Sequence, residues 1–384
     1  LGMHFSHPYV QEYIKRSFFP GLELIDDGNG RLKVRFSEGG KVVEKYPFEI
    51  CLMLLQFFHG LICFERHLPK DKKINAVICV PAHFNCFQRQ EMRQAAIDAG
   101  FEVHRLINEP TAAALARSFY LTRMQHRQAS FEDGLKEMDT KERLLVFDFG
   151  GGTLDVTVMD TTITGGVCAF EVASTHGNVF VGGSDIDDVI FHLILRHINE
   201  RFPTQFHKHF ALRDNLDDDD KDKILKTLSK VRDFAHRVKE NTFARANDAE
   251  IDLSDGFSKY FKNEKYEDLQ FDISYDEFLD AMADIKQQCR DCIEMALSKH
   301  NIGADSINHV LLVGGSSKMP FVNDILSQWF SPEVILPDYD PQLVVAEGAA
   351  LFADIFRKHI ETVQFRELYP VTLGVRIQDK VLGR

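Results

Sequence analysis

Leu144-Leu-Val-Phe-Asp-Phe-Gly-Gly-Gly-Thr-Leu-Asp-Val-Thr-Val-Met-Asp160 joins two apolar runs through a turn made of an acid, three glycines and a threonine. Val146 and Phe147 lead the first run into Asp148, and Leu154, Val156 and Val158 alternate with polar residues at strand period. Glycine has no Cβ to block an anion or forbid positive φ, so Gly150, Gly151 and Gly152 can turn bare backbone N–H groups onto a phosphate. No Gly-Lys-Ser/Thr follows, and the chain leaves the turn as a strand, which excludes a Walker loop. Asp148 and Asp155, one on each side of the turn, offer the oxygen ligands that a hard ion such as Mg²⁺ prefers. Thr153 is expected to set its hydroxyl near the terminal phosphate. The bland alternative is a tight hairpin in an ordinary sheet, against which stand the acid before the glycines and Thr-x-Asp after them.

Two further stretches carry similar chemistry. In Asn108-Glu109-Pro110-Thr111 the proline fixes φ and can open a helix, so Glu109 is held just ahead of the Ala112-Ala-Ala114 turn. A carboxylate there can orient a metal-bound water, or simply favour the helix dipole. Val310-Leu-Leu-Val-Gly-Gly-Ser-Ser317 ends an apolar strand in paired glycines, where a ligand can approach backbone closely. Strand-then-helix alternation, as in Ile74 to Val80 followed by Gln88 to Ala99, predicts layered α/β architecture.

Six motifs in order resemble the nucleotide-binding domain of the DnaK-type seventy-kilodalton heat-shock chaperones, nearly end to end. Besides the glycine hairpin they are Asn75-Ala-Val-Ile-Cys-Val-Pro-Ala-His-Phe-Asn85 with Gln88-Arg89-Gln90, Leu106-Ile-Asn-Glu-Pro-Thr-Ala-Ala-Ala-Leu115, Gly182-Gly-Ser-Asp185, Val313-Gly-Gly-Ser-Ser-Lys-Met-Pro320 and Ala346-Glu-Gly-Ala-Ala350. The resemblance implies an α/β, two-lobed, actin-like (ribonuclease-H-like) ATPase fold binding ATP or ADP with Mg²⁺. It implies catalytic roles for Glu109, Asp148, Thr153 and Asp155, the two aspartates reaching the metal through water. Nucleotide contacts are implied for Gly150, Gly151, Gly152, Gly182, Gly183, Lys239, Gly314, Gly315 and Ser316, with Lys318 packing on the base where the family has an arginine. Pro81 and Arg89 are implied to couple nucleotide state to the rest of the molecule. Unfolded clients, bound by a domain not in this chain, a J-domain cochaperone and an exchange factor follow as expected partners.

Composition agrees. A chain of 384 residues with 44% hydrophobic content can bury a large core in more than one lobe. A net charge of -13 argues against nucleic acid or anionic membrane, both of which need a positive face. The seven cysteines read as reduced core thiols, Cys289-Arg-Asp-Cys292 lying inside a helical run from Tyr275 to Lys299 with no second ligand pair. Pro47 to Phe64 is the most hydrophobic segment, interrupted by Glu49, Gln56 and His59. It reads as a packed helix on which Phe57, Phe58, Leu61 and Phe64 cover a neighbour or form a docking patch. Cytoplasmic placement is expected, although the chain opens at Leu1 and not at methionine.

Departures from the family's pattern bear on chemistry. The opening Leu1-Gly-Met-His-Phe-Ser-His-Pro-Tyr-Val10 resembles the segment that follows the family's first phosphate hairpin and its phosphate-reaching lysine. Without them the first lobe is expected to lack its opening strands, and hydrolysis should suffer more than binding. On the helix Val231 to Phe243, Glu240 stands for an arginine and Phe243 for a small hydroxyl residue, which puts base preference in question. Gln342 stands for an acid. Arg123 to Arg143 reads as a solvated insertion, and Asp217 to Asp220 as a hydrated loop or helix start. In the exit segment Gln364 and Arg366 interrupt an apolar linker and should weaken its docking as an added strand. Tyr369-Pro-Val-Thr-Leu-Gly-Val375 resembles the HscC-like branch.

The expected division is a first lobe over 1–120 and a second over 121–338, followed by a helix returning to lobe one over 339–362 and an exit over 363–384. The leading expectation is an ATP-hydrolysing chaperone motor. The alternative is a degenerate, non-hydrolysing domain that senses nucleotide or docks partners.

Overall fold

A computed structural model describes residues 1–16, 21–38, 41–125, 131–212, 216–261, 269–336, 339–357 and 362–367. After helix α1 (Pro8–Arg16), strands β1 (Leu22–Asp26), β2 (Leu32–Glu38) and β3 (Lys41–Lys45) form an antiparallel meander. Helix α2 (Pro47–Glu65) precedes β4 (Ile74–Val80), α3 (Cys86–Asp98), β5 (Phe101–Asn108) and α4 (Glu109–Gln125), with β4 and β5 parallel. Then come α5 (Phe131–Lys136), β6 (Thr140–Phe149), β7 (Leu154–Thr164), β8 (Val167–Asn178), α6 (Gly183–Arg201), α7 (Pro203–His209) and α8 (Asp218–Asn241). The order continues with β9 (Ala249–Asp252), α9 (Ser254–Phe257), β10 (Gln270–Ile273), α10 (Tyr275–Ala281), α11 (Ala283–Ser298) and β11 (His309–Val313). It ends with α12 (Pro320–Leu326), α13 (Val344–Arg357) and β12 (Val363–Arg366).

The glycine hairpin lies in a sheet ordered β11-β6-β7-β8-β12. Its apolar strands are covered on both faces because successive side chains point to opposite sides. Leu145, Phe147 and Phe149 join one core with α6, α8, α11 and α12, while Leu144 and Val146 join a second with α4 and α13. Each fully buried phenylalanine there is worth about 2 kcal/mol of transfer free energy. Where α13 crosses α4, a Cβ at Gly348 would lie 1.8 Å from the Ala112 carbonyl oxygen, so only glycine permits that approach. A third, smaller cluster of Ala96, Ala99, Phe101 and Val103 gathers Leu52, Leu55 and Ile62 of α2.

Helix starts follow local chemistry. Asn85 accepts from Gln88 N (3.0 Å) and Gln88 Oε1 from Asn85 N (2.9 Å), a reciprocal cap opening α3. Asp217 caps α8 by accepting from Asp220 N (2.8 Å), so that acidic run is a helix start.

Several expectations change. The helical run from Tyr275 breaks at Met282 into α10 and α11. The stretch 123–143 is not a solvated insertion, because Leu135 and Met138 are buried and Phe131 packs on Phe119 at 5.7 Å; residues 126–130 lie outside the described residues. Cys289 and Cys292 are free and buried, but Cys86 is exposed. On α2, Phe57, Phe58, Leu61 and Phe64 point outward, between 44% and 75% exposed. By length and composition α2 is also the one described helix apolar enough to cross a bilayer. The exit strand pairs despite Gln364 and Arg366: those two face outward, Phe365 stacks on Phe170 at 5.4 Å, and Arg366 Nη1 reaches Glu171 Oε1 at 3.1 Å. Pro370, Leu373 and Gly374 lie outside the described residues.

Candidate functional site

Three glycine segments interlock at one end of the five-stranded sheet. Gly183 N donates to Gly150 O (2.9 Å), Ser184 N to Gly151 O (2.7 Å), and Ser316 Oγ to Gly150 O (2.9 Å). A Cβ at Gly182 would meet Gly152 backbone at 2.5 Å, and one at Gly314, whose φ is +83°, would meet Phe149 O at 2.3 Å. These carbonyl bonds face the turn's outer side outward. Gly150 N is not bare as expected: it closes the turn onto Thr153 O at 3.0 Å. The amides of Gly151 and Gly152 donate to no described residue, and nothing would lie within 4 Å of a Cβ on either. Beside them Thr153 is half-exposed.

Below the turn the carboxylates converge. Antiparallel register sets Asp148 opposite Asp155, and Asp155 opposite Gly177. Glu109, at the start of α4, joins them from the β4–β5 sheet. Burial, and then the charge of Asp155, pushes Asp148 up to about 7. Burial, and then the charges of Asp148 and Asp155, pushes Glu109 up to about 8. Among the described residues no three Asp, Glu, His or Cys side chains are grouped to ligate a metal directly, so a divalent cation would meet these acids through its water shell and would relieve the shifts of Asp148 and Glu109.

One site residue lay inside a quoted motif but had no role assigned from the sequence. His83 Nδ1 lies 2.9 Å from Asp155 Oδ1. Burial works against the charged imidazole, but the hydrogen bond and charge of Asp155 outweigh it and hold its pKa above the usual value. The Pro81–Asn85 loop that carries His83 is held by Arg89, which donates to Phe84 O (2.9 Å), Ala82 O (3.2 Å) and Asn108 Oδ1 (2.7 Å). Pro81 contributes its carbonyl, which accepts from Phe84 N at 3.1 Å.

A cavity of about 530 Å³ opens beyond the glycines, lined by Gly151, Gly183, Ser316, Lys318, Lys239 and Glu240 among others. Lys239 Nζ donates to Gly183 O (3.0 Å) and pairs with Asp187 Oδ1 (2.8 Å). His236, also without an earlier role, bridges Asp187 (3.1 Å) and Glu240 (3.4 Å). Lys318, expected to pack on a base, lines the cavity with its ammonium drawn to Asp340 (2.7 Å) and Gln342 Oε1 (2.9 Å). Gln342 thus supplies an acceptor that holds Lys318 against the rim. Phe243 does not line the cavity: it is fully buried and stacked on Phe278 at 4.3 Å, since a ring gains more from the core than from a polar rim.

The family model described as Hsp70 protein matches residues 1–384. The chain is 30% identical over 388 residues to a ribosome-associated molecular chaperone of Saccharomyces cerevisiae, covering 100% of this chain and 56% of that protein. It is 31% identical over 389 residues to the chaperone protein DnaK of Stenotrophomonas maltophilia, covering 100% and 53%. It is also 30% identical over 387 residues to a heat shock cognate HSP70 protein of Trypanosoma brucei brucei, covering 99% and 50%. The chain thus spans about half the length of the curated relatives it matches.

Proposed function

Because the chain belongs to the Hsp70 family, we propose that it binds and hydrolyses ATP as the motor domain of a molecular chaperone. Its fold is the actin-like ATPase fold of that family's nucleotide-binding domain. The observation that carries the reading is the convergence of Glu109, Asp148 and Asp155 beneath the open amides of Gly151 and Gly152. Phosphoryl transfer needs positioning and charge compensation more than covalent help, and this arrangement offers both.

Bound Mg²⁺ supplies charge compensation for the phosphate that is transferred. Asp148 and Asp155 would hold Mg²⁺ through its water shell, and Glu109 would orient the attacking water. The amides of Gly151 and Gly152, with the Thr153 hydroxyl, take the phosphate oxygens, with Gly150 shaping the turn. Gly182, Gly183, Gly314, Gly315 and Ser316 frame the adenosine side, and Lys239 sets charge beside it. Lys318 and Gln342 close the rim as a pair. Pro81 and Arg89 carry nucleotide state outward through the loop they hold.

We assign the first lobe to 1–120, ending within α4, and the second to 121–338. A returning helix follows over 339–362 and an exit over 363–384. Client proteins reach the molecule through a domain beyond this chain, with a J-domain cochaperone and an exchange factor as regulators, in the cytoplasm. Calorimetry with Mg²⁺·ATP beside single-turnover hydrolysis tests the assignment. Binding with turnover is expected. Binding without turnover points to the non-hydrolysing alternative, and no heat on folded protein overturns both.

A further inference from the structure

The geometry points to His83 as a positioning residue that ties the β4–β5 sheet to the metal-facing carboxylate of Asp155 and so makes binding of the metal–nucleotide depend on how the two sheets meet. The inference deepens the proposed function and rests on its reading of Asp155.

Asp155 is buried and sits in a slot. Its Oδ1 is the atom that a Cβ on Gly177 would strike, at 2.4 Å, so β8 leaves a gap the size of one carbon for that oxygen. The other contact on the same oxygen is His83 Nδ1 at 2.9 Å. An ionised carboxylate only accepts, so the imidazole must donate, which fixes its tautomer at Nδ1–H. With Oδ1 committed between Gly177 and His83, the rotamer of Asp155 is set, and Oδ2 is the oxygen left for a metal-bound water. A hydrogen bond to a buried charge is worth more than one between neutral groups.

The donor belongs to the other sheet. His83 hangs from the loop after β4, whereas Asp155 stands on β7 of the five-stranded sheet. That loop is rigid for a stated reason: Arg89 holds the carbonyls of Ala82 and Phe84 while its Nη2 holds Asn108, the residue before Glu109. One guanidinium therefore fixes both the histidine that aims Asp155 and the corner that presents Glu109. A displacement of β4 against β7 moves His83 off Asp155 and Glu109 off Asp148 together.

His83→Phe removes the donor and keeps a ring of similar shape, and His83→Asn keeps an N–H near the position of Nδ1. Fluorescent ADP binding, with and without Mg²⁺, is the first readout. His83→Phe should weaken Mg²⁺-supported binding about tenfold, the loss expected for one hydrogen bond to a charged group, while binding without Mg²⁺ stays put. His83→Asn should recover most of the loss. Amide exchange on the nucleotide-free protein is the second readout. Both His83→Phe and Asp155→Asn should speed exchange in the Ala82–Phe84 loop, because each removes one end of the tie. Equal loss of binding with and without Mg²⁺, no recovery in His83→Asn, or unchanged loop exchange in both variants overturns the inference. If the wild-type protein binds no nucleotide, the functional reading fails on its own and the exchange arm still decides whether the tie exists.

Discussion

The five-stranded sheet and the β4–β5 pair meet at the same cluster of acids, but they are buried to different depths. Strand β7 and the second half of β6, from Leu144, are almost wholly enclosed, with helices on both faces and cores that include Phe147, Phe149, Val156 and Val158. The β4–β5 pair has two strands: one face meets the α4–α13 core through Ile107, Val77 and Cys79, and the other has only a small cluster around Phe101 under a helix whose outer face is apolar and exposed. The enclosed sheet supplies Asp148, Asp155 and the glycine turn. The thin one supplies Glu109, His83 and Arg89. Phosphate binding is thus built into the stable region, while aiming of water and carboxylate depends on a region that can shift against it. Such a division suits a domain that must report its ligand state.

The joint between the two regions is the α4–α13 crossing, and breaking it should give the largest effect. Gly348→Ala forces a Cβ to within 1.8 Å of the Ala112 carbonyl oxygen, backbone that cannot rotate away. A loss of about 3 kcal/mol by overpacking is expected, read as a lower denaturant midpoint with an unchanged slope. A midpoint within error of wild type would mean the two regions do not depend on that crossing.

Glu109→Gln tests how the regions share charge. Hydrolysis should fall about a hundredfold or more, the usual contribution of a positioned acid–base group, with nucleotide binding retained. Stability should move the other way. Glu109 is raised from 4.5 to about 8 and Asp148 from 3.8 to about 7, so between those values the folded state holds protons that the unfolded chain has released. The stabilisation is therefore complete below about pH 4 and is lost as pH rises through 7 and 8. Without nucleotide the wild-type melting temperature should fall across that window. Glu109→Gln should flatten the fall and melt a few degrees higher at pH 8, and Mg²⁺·ADP should flatten it in the wild type. A wild-type curve that rises from pH 5 to 8 without ligand would contradict the charge cluster.

Native-state amide exchange sharpens the contrast without mutation. Amides of β6 and β7 should open only with global unfolding, whereas those of β4 should open at a lower free energy, since fewer buried contacts hold that pair. Equal protection would erase the distinction.

Much of this was legible in residue order. The acid, three glycines and Thr-x-Asp located the hairpin and both aspartates, because strand period fixes register and register sets Asp148 opposite Asp155. Pro110 marked the helix that carries Glu109. Local pattern could not reach His83, a single histidine in a loop with no periodicity, whose partner lies 72 residues away. Nor could it place Phe243, whose stacking on Phe278 is decided by the tertiary core, or the burial of Leu135 and Met138 within a charged run. Lys318 was assigned by what its counterpart does in the family. Its own neighbours, Asp340 and Gln342, come to it only through the fold.

The smallest effect is expected on the outer face of α2. Phe57 and Phe64 are 64% and 75% exposed, so they bury little area on folding, and replacing both with glutamine should change stability by only about 0.5 kcal/mol. Leu55 or Ile62, turned onto the Phe101 cluster, would cost more as alanine because their removal leaves a gap in the small core between α2 and the β4–β5 pair. Solubility should separate the two faces in the opposite sense. Phe57→Gln with Phe64→Gln removes exposed apolar area and should lower light scattering at high concentration, whereas the Leu55→Ala or Ile62→Ala protein should scatter more as it loosens. If the outer pair instead cost several kcal/mol, α2 would be packed on both sides, and the thin region would be as well enclosed as the sheet it meets.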